Sequence, residues 1–338
     1  MFQKTPKTWC LRLLPVLLFF IALVIYHCPY VILRRYIDTS KFLNSSKSLC
    51  GGRLIQWESL NFNINRTKQL FLKLEDFFWR EHVSKLALPY GIKGSEPLLL
   101  KVLAVTANYQ VPADIDNLEC RTCVVIGNGF SIKNSSLGRM INTYDVVIRL
   151  NDAPVRGYEN DVGSKTTMRF FYPESASSDP RLHNEPDTLM VLVPFKQQDL
   201  QWLKEILYNE KRGRKGFWKP PPQIWVADVN KIRVLDPHFL WQTANRLLQI
   251  PLRHRSKQKS VHPTTGILAV FVALNYCDVV HIAGFGYPNS RTIGQPIHYY
   301  GNDTMKSMKN SYHDLKHEAE TLKRLKDSGA VMYLNSDS

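Results

Sequence analysis

The sequence predicts an α/β domain with a mostly parallel central sheet flanked by helices, and three observations carry that expectation. Short apolar runs of strand length recur at 124–126, 146–150, 168–172, 189–193, 224–227, 279–283 and 331–334. Segments with helical spacing of apolar residues lie between several of them. The first run ends on Gly127-Asn128-Gly129, as a buried strand does when it enters a ligand-facing loop.

Taken in order, the runs are short and apolar, which suits strands covered on both faces. The stretch 198–208 places Leu200, Leu203, Ile206 and Leu207 on one helical side. The stretch 239–250 does something similar with Leu240, Ala244, Leu247 and Leu248. Residues 265–276 are almost wholly apolar and predict a core helix, whereas 313–328 carries a single stripe of Leu315, Ala319, Leu322 and Leu325. Strands alternating with helices imply a sheet with helices on both faces. Ligands of such sheets bind at the carboxyl ends of the strands, where Gly127-Asn128-Gly129 and Asn151 fall.

Ahead of this domain, 13–33 carries no formally charged side chain, enough length to cross a bilayer. Lys4, Lys7 and Arg12 precede it and favour a cytoplasmic N-terminus, while Tyr26-His27-Cys28-Pro29-Tyr30 offers no small-residue cleavage site. The expected organisation is a cytoplasmic tail at 1–12, a transmembrane signal-anchor at 13–33, a stem and entry segment at 34–85 and a lumenal domain at 86–338. Acceptor sequons at Asn44, Asn65, Asn134 and Asn302 agree with a lumenal, glycosylated chain.

Cys10 and Cys28 flank the anchor, which leaves Cys50, Cys120, Cys123 and Cys277. A Cys-x-x-Cys pair reads as a zinc half-site, a redox motif or two disulfide partners; an oxidising lumen favours disulfides. The formal charge is +15, from 44 basic and 29 acidic residues. Nucleic-acid binding conflicts with a lumenal address, so the basic balance suits an anionic small substrate. The densest runs, Lys211-Arg212-Gly213-Arg214-Lys215 and Arg253-His254-Arg255-Ser256-Lys257-Gln258-Lys259, read as solvated loops.

The block 120–169 contains Cys-Arg-Thr-Cys-Val-Val-Ile-Gly-Asn-Gly, then Val-Val-Ile-Arg-Leu-Asn-Asp-Ala-Pro-Val, then Asp-Val-Gly-Ser-Lys-Thr-Thr-Met-Arg. It resembles the large sialylmotif of the animal sialyltransferases, glycosyltransferase family 29. Pro263-Thr264-Thr265-Gly266-Ile267-Leu268-Ala269, continuing to Cys277-Asp278 and Ala283-Gly284-Phe285-Gly286, resembles the small motif. His298-Tyr299-Tyr300 resembles the third motif, and His313 with Glu318 the very short one. The segments Leu88-Pro89-Tyr90-Gly91, Tyr172-Pro173-Glu174-Ser175 and Gly216-Phe217-Trp218-Lys219 are most similar to the β-galactoside α-2,3-sialyltransferases, type-four subfamily. The resemblance implies a glycosyltransferase-A variant fold, a CMP-sialic acid donor, and galactose-terminated glycoprotein or glycolipid acceptors. It also implies a Golgi type II membrane protein with a lumenal catalytic domain. A homodimer and a form secreted after stem cleavage are further expectations.

The chemistry requires a base for the acceptor hydroxyl, stabilisation of the departing phosphate, and a nucleoside pocket. His313, expected at the start of the last helix, is the candidate base, because an imidazole titrates near neutrality. His317 competes at the same helical spacing but lacks a Glu at the motif's offset, and Glu318 either supports the helix or orients the site. The resemblance places His298 by the donor phosphate and Asn128, Asn151 and Gly286 around CMP. Thr264, Thr265 and Gly266 precede a long helix whose N-terminus suits an anion. Two donor-site tyrosines of a better-studied branch align near Leu235 and His262; only His262 is kept as a site candidate. The resemblance also pairs Cys123 with Cys277, which leaves Cys50 with Cys120. As both motifs approach the donor, reduction is expected to weaken donor binding as well as stability. Asp114-Ile115-Asp116 spells a metal-binding Asp-x-Asp but precedes the first strand in a loop-like run, so no metal and no cofactor are expected. Competing functions are a sialyltransferase of different acceptor or linkage, and a catalytically silent sialoglycan- or nucleotide-binding membrane protein; intact His298 and His313 argue against silence.

Overall fold

The computed structural model describes residues 23, 50, 64, 66–76, 85–177, 179, 185–250, 261–286, 294–308 and 312–334. The chain divides into two compact units, 1–49 and 50–338, and the second carries the fold discussed below. Apart from Leu23, the expected anchor at 13–33 lies outside the described residues, as do the sequons at Asn44 and Asn65. Among the described residues no helix is long and apolar enough to cross a membrane.

Seven strands form one sheet: β1 (Thr122–Ile126), β2 (Val146–Leu150), β3 (Met168–Phe171), β4 (Leu189–Leu192), β5 (Ile232–Val234), β6 (Val279–Ala283) and β7 (Met332–Tyr333). Their order is β5-β4-β3-β2-β1-β6-β7, and every neighbouring pair is parallel. β1 is central, with Cys123 registered against Val146 on one side and Val280 on the other. All carboxyl ends therefore lie along one edge, which gathers the loops after β1, β2, β3, β4 and β6.

Both faces are covered, which is why β1, β2 and β6 are buried at every position. On one face α1 (Glu96–Thr106) packs against α2 (Gln197–Leu207), with Leu99, Leu103, Trp202 and Trp225 in the interior. After the short α3 (Pro237–Gln242) comes α4 (Thr265–Tyr276), on the other face; its apolar sequence buries all but one of its residues. α5 (Leu315–Asp327) precedes β7 and buries Leu322 and Leu325.

Four elements differ from expectation. Residues 224–227 form no strand: Ile224 and Val226 are 70% and 58% exposed, while Trp225 is buried and Ala227 packs against the core. The sheet edge is instead β5, whose Arg233 breaks the apolar pattern and spends its guanidinium on the carbonyls of Gln110, Asn230 and Ile232. The helix expected over 239–250 starts earlier, at Pro237 with Asp236 capping the His238 N–H, and passes into a π-turn at Thr243–Leu247. α5 begins at Leu315, so His313 stands in the loop before the helix, ahead of the N-cap Asp314. Lastly, the boundary expected at 85/86 falls inside this unit. Leu70, Phe71 and Leu72 are core residues, the Leu72 N–H donates to Val234 O, and Phe71 bridges to Leu235.

Candidate active site

The loop after β1 is shaped by glycine for a backbone reason. A Cβ on Gly127 would lie 2.4 Å from Gly284 O, and one on Gly129 2.6 Å from the same oxygen. The loops after β1 and β6 thus lie backbone against backbone, joined by the Gly129 N–H to Gly284 O at 2.7 Å. The glycines of the two loops are required by each other's backbone. Gly286 is different: its φ is +121 and a Cβ there would meet nothing within 4 Å.

This clamped pair of loops holds the third-motif residues. His298 bridges to Gly129, the Tyr299 N–H donates to Asn128 O at 3.0 Å, and the Phe130 N–H donates to Ile297 O. The His298 and Tyr300 rings stack at 5.2 Å. Burial holds the His298 imidazole below its usual range, against the opposing pull of Asp303 and Asp152. The Asn128 amide donates to the Tyr300 hydroxyl at 3.2 Å, and that hydroxyl donates to Asp152 Oδ1 at 3.4 Å. Asn151, at φ +55, follows β2. The buried Oδ1 atoms of Asn128 and Asn151 have no hydrogen-bond partner among the described residues. Two orphan acceptors on adjacent strand ends suit the hydroxyl and amino donors of a nucleoside.

A second group is built on the N-terminus of α4. Thr264 caps it, its hydroxyl accepting from the Ile267 N–H at 3.2 Å. The N–H groups of Thr265 and Gly266, in the first turn, have no intrahelical acceptor. A Cβ on Gly266 would touch Phe285 at 3.3 Å and Leu150 at 3.8 Å, so this turn packs beside the β2 end and the β6 loop. Glu318 reaches across from α5, accepting the Thr264 N–H on Oε1 at 2.7 Å and its hydroxyl on Oε2 at 2.6 Å. Burial raises the Glu318 carboxyl to about 7, despite those two hydrogen bonds.

His313 stands beside this turn. Its Nδ1 is 2.8 Å from the carbonyl of His262. A carbonyl only accepts, so Nδ1 carries the proton and Nε2 is left with its lone pair. Burial lowers the affinity of the ring for a second proton, and the His262 carbonyl opposes that in part. His262 is fixed in turn by its N–H to Tyr312 O, and its Nδ1 lies 3.3 Å from the Tyr90 hydroxyl. His317 is committed elsewhere, with Nε2 on Leu248 O at 2.7 Å and its N–H on Asp314. Leu235 is a core residue.

Other assigned positions lie apart. Cys123 is joined to Cys277 and Cys50 to Cys120. The first bridge ties the second residue of β1 to the end of α4, about 13 Å along the strand from Gly127. It therefore does not border the loop at Gly127. Asp114-Ile115-Asp116 forms a helical turn, Ala113–Asp116, where a loop was expected, at the amino end of β1. Asp116 is taken by Arg121 at 3.4 Å and the Tyr276 hydroxyl at 3.2 Å. Asn134 and Asn302 are exposed.

The sequence reading missed Asp152, which links Tyr300 to Lys219, and the buried pair Arg149 and Arg169, registered on β2 and β3. Burial lowers both guanidinium pKa values to about 10. Arg169 donates to the carbonyls of Asn151 and Ala153, so it shapes the loop after β2. An arginine inside an apolar strand run was the available signal.

Comparison with known proteins agrees with this geometry. The model of glycosyltransferase family 29 (sialyltransferase) matches residues 71–330. A rat CMP-N-acetylneuraminate-beta-galactosamide-alpha-2,3-sialyltransferase 4 is 51% identical over 93% of this chain and 95% of its own length. A human type 2 lactosamine alpha-2,3-sialyltransferase is 43% identical over 75% of this chain and 76% of its own. The crystal structure of a mammalian sialyltransferase, also solved with Gal-beta-1-3GalNAc-ortho-nitrophenol, superposes with a TM-score of 0.60 at 27% identity, covering 85% of this chain and 96% of the uncomplexed structure. The parallel sheet, the clamped glycine loops and the matched motifs thus place the chain in glycosyltransferase family 29, the sialyltransferases.

Proposed function

We propose that this enzyme transfers sialic acid from CMP-sialic acid to the 3-hydroxyl of a terminal galactose, preferring Galβ1-4GlcNAc and accepting Galβ1-3GalNAc. The observation that carries the mechanism is the His313 tautomer: with Nδ1–H spent on the His262 carbonyl, Nε2 is an oriented acceptor for the sugar hydroxyl proton. The galactose oxygen then attacks the anomeric carbon as the bond to CMP breaks. One displacement with one base inverts the anomeric configuration. The phosphate of departing CMP gains charge, which a neutral His298 N–H and the N-terminus of α4 stabilise. Asn128 and Asn151 hold the nucleoside through their orphan acceptors.

CMP is a monophosphate and leaves with less charge than a diphosphate, so these donors serve without a metal or other cofactor. Among the described residues no three His, Cys, Asp or Glu converge as a metal site. The charges flanking 13–33 and the four sequons support a Golgi type II protein anchored by that segment, with 86–338 and the preceding strand-pairing segment in the lumen.

The test incubates the full-length, detergent-solubilised chain with CMP-sialic acid and a panel of galactosides, followed by linkage analysis. The expected product is α-2,3-linked and forms faster on Galβ1-4GlcNAc than on Galβ1-3GalNAc. Strict use of Galβ1-3GalNAc, or of a terminus other than galactose, contradicts the acceptor assignment.

A further inference from the structure

The segment Gly216-Phe217-Trp218-Lys219 plays no part in the chemistry above, yet it is fastened on both sides of its tryptophan, on one side to the site and on the other to the loops after β3 and β4. Lys219 Nζ lies 3.6 Å from Asp152 Oδ2, and Asp152 is the partner of the Tyr300 hydroxyl. Phe217 lies under the Lys196 ammonium, 4.9 Å from the ring centroid. Lys196 is itself held by two carboxylates that follow β3 and β4: Glu174 at 2.6 Å and Asp199 at 3.3 Å, both with fully buried side chains. Between these two attachments Trp218 is 74% exposed. A large indole is ordinarily buried, so holding both neighbours while leaving it in water presents its face outward.

We propose that Trp218 is the platform for the second sugar of the acceptor, the pyranose that follows the terminal galactose, and that Lys219 is its positioning residue. This rests on the sialyl-transfer reading given above. The apolar C–H face of a pyranose matches an indole face, and neither must give up a hydrogen bond to make the contact. Exposure distinguishes acceptor from donor. An activated sugar must be shielded from water to escape hydrolysis, whereas the acceptor's second sugar leads outward to its carrier. An outward-facing indole tied to the loop after β2 suits the outgoing glycan.

The test compares full-length wild type with Trp218→Ala, Trp218→Phe and Lys219→Ala on Galβ1-4GlcNAc and on methyl β-galactoside, at saturating CMP-sialic acid. The readout is kcat/KM on the disaccharide divided by kcat/KM on the monosaccharide. Trp218→Ala should lower this ratio about tenfold, and Trp218→Phe should retain most of it. Lys219→Ala should cause a smaller fall, since it frees the platform without removing it. Both side chains are exposed, so these variants leave the core packing intact. A ratio unchanged in both alanine variants overturns the proposal, as does an effect confined to KM for CMP-sialic acid. Failure of the wild type to sialylate either acceptor overturns the underlying reading instead.

Discussion

Glu318 holds Thr264 with both carboxylate oxygens, one on the backbone N–H and one on the hydroxyl. The contact joins α5 to the N-terminus of α4 across a sequence separation of 54 residues. It also orders two binding functions at once. Thr264 caps α4, and the loop carrying His313 leads directly into α5. The spacing of His313 and Glu318 is thereby explained: the glutamate pins the turn beside which the histidine must stand.

Glu318→Ala should cost about 1–3 kcal/mol, the penalty for leaving buried partners unsatisfied. Glu318→Gln should cost little, because its amide can accept from the Thr264 N–H and donate to the hydroxyl. The raised carboxyl pKa sets the pH dependence. A carboxyl held at about 7 when folded and near ~4.3 when unfolded contributes stability fully below the unfolded value, and loses it as pH rises through the folded one. Denaturant melts of wild type and Glu318→Gln should therefore shift in favour of glutamine between pH 5 and pH 8. A difference that stays flat over that window would sink the argument.

His313→Ala should lower turnover by roughly 10²–10⁴-fold while CMP still binds. Burial lowers the imidazole pKa, so the neutral base survives further into acid than a free histidine. The acid limb of the kcat/KM profile should accordingly fall below the ~6.5 of an unperturbed imidazole. A limb at or above that value, or a His313→Ala variant with more than half of wild-type turnover, removes this residue as the base.

The parallel sheet was legible because its central strands are buried on both faces and so read as plain apolar runs. β5 was not, since a three-residue edge strand with Arg233 in its middle carries no periodic signal, while the exposed Ile224 and Val226 imitate one. His313, His298 and the asparagines could be placed from their motifs. Their partners could not, because the His262 carbonyl, Asp152 and Lys219 meet them only through tertiary contact. The close approach that requires Gly127 was not legible for the same reason. The neighbour of Gly127 is the backbone of Gly284, which is remote in sequence.

The Cys123–Cys277 bridge closes 154 residues at the amino end of β1. Replacing both cysteines with serine should cost about 2–5 kcal/mol, chiefly by releasing the unfolded chain. Because the bridge lies a strand's length from Gly127, the affinity for CMP of the protein that remains folded should change little. Parallel thermal melts and CMP titrations separate the two effects. A loss of CMP affinity without a loss of stability would show that the bridge shapes the donor loop after all.

Sialyl transfer should persist in excess EDTA. Asp114 and Asp116 have the spelling of a metal-binding pair but lie at the amino end of β1, whereas the orphan acceptors of Asn128 and Asn151 lie at the carboxyl ends. Asp116 is already engaged by Arg121 and Tyr276, and moving it would break both contacts. In the proposed mechanism the charge that builds on departing CMP is met from the other end of the sheet, by His298 and the first turn of α4. Asp116→Asn should therefore alter stability more than turnover, because its partners are structural. Initial rates measured with and without chelator decide the point: activity lost in EDTA and restored by Mn²⁺ would put a metal into the reaction and require ligands outside this pair.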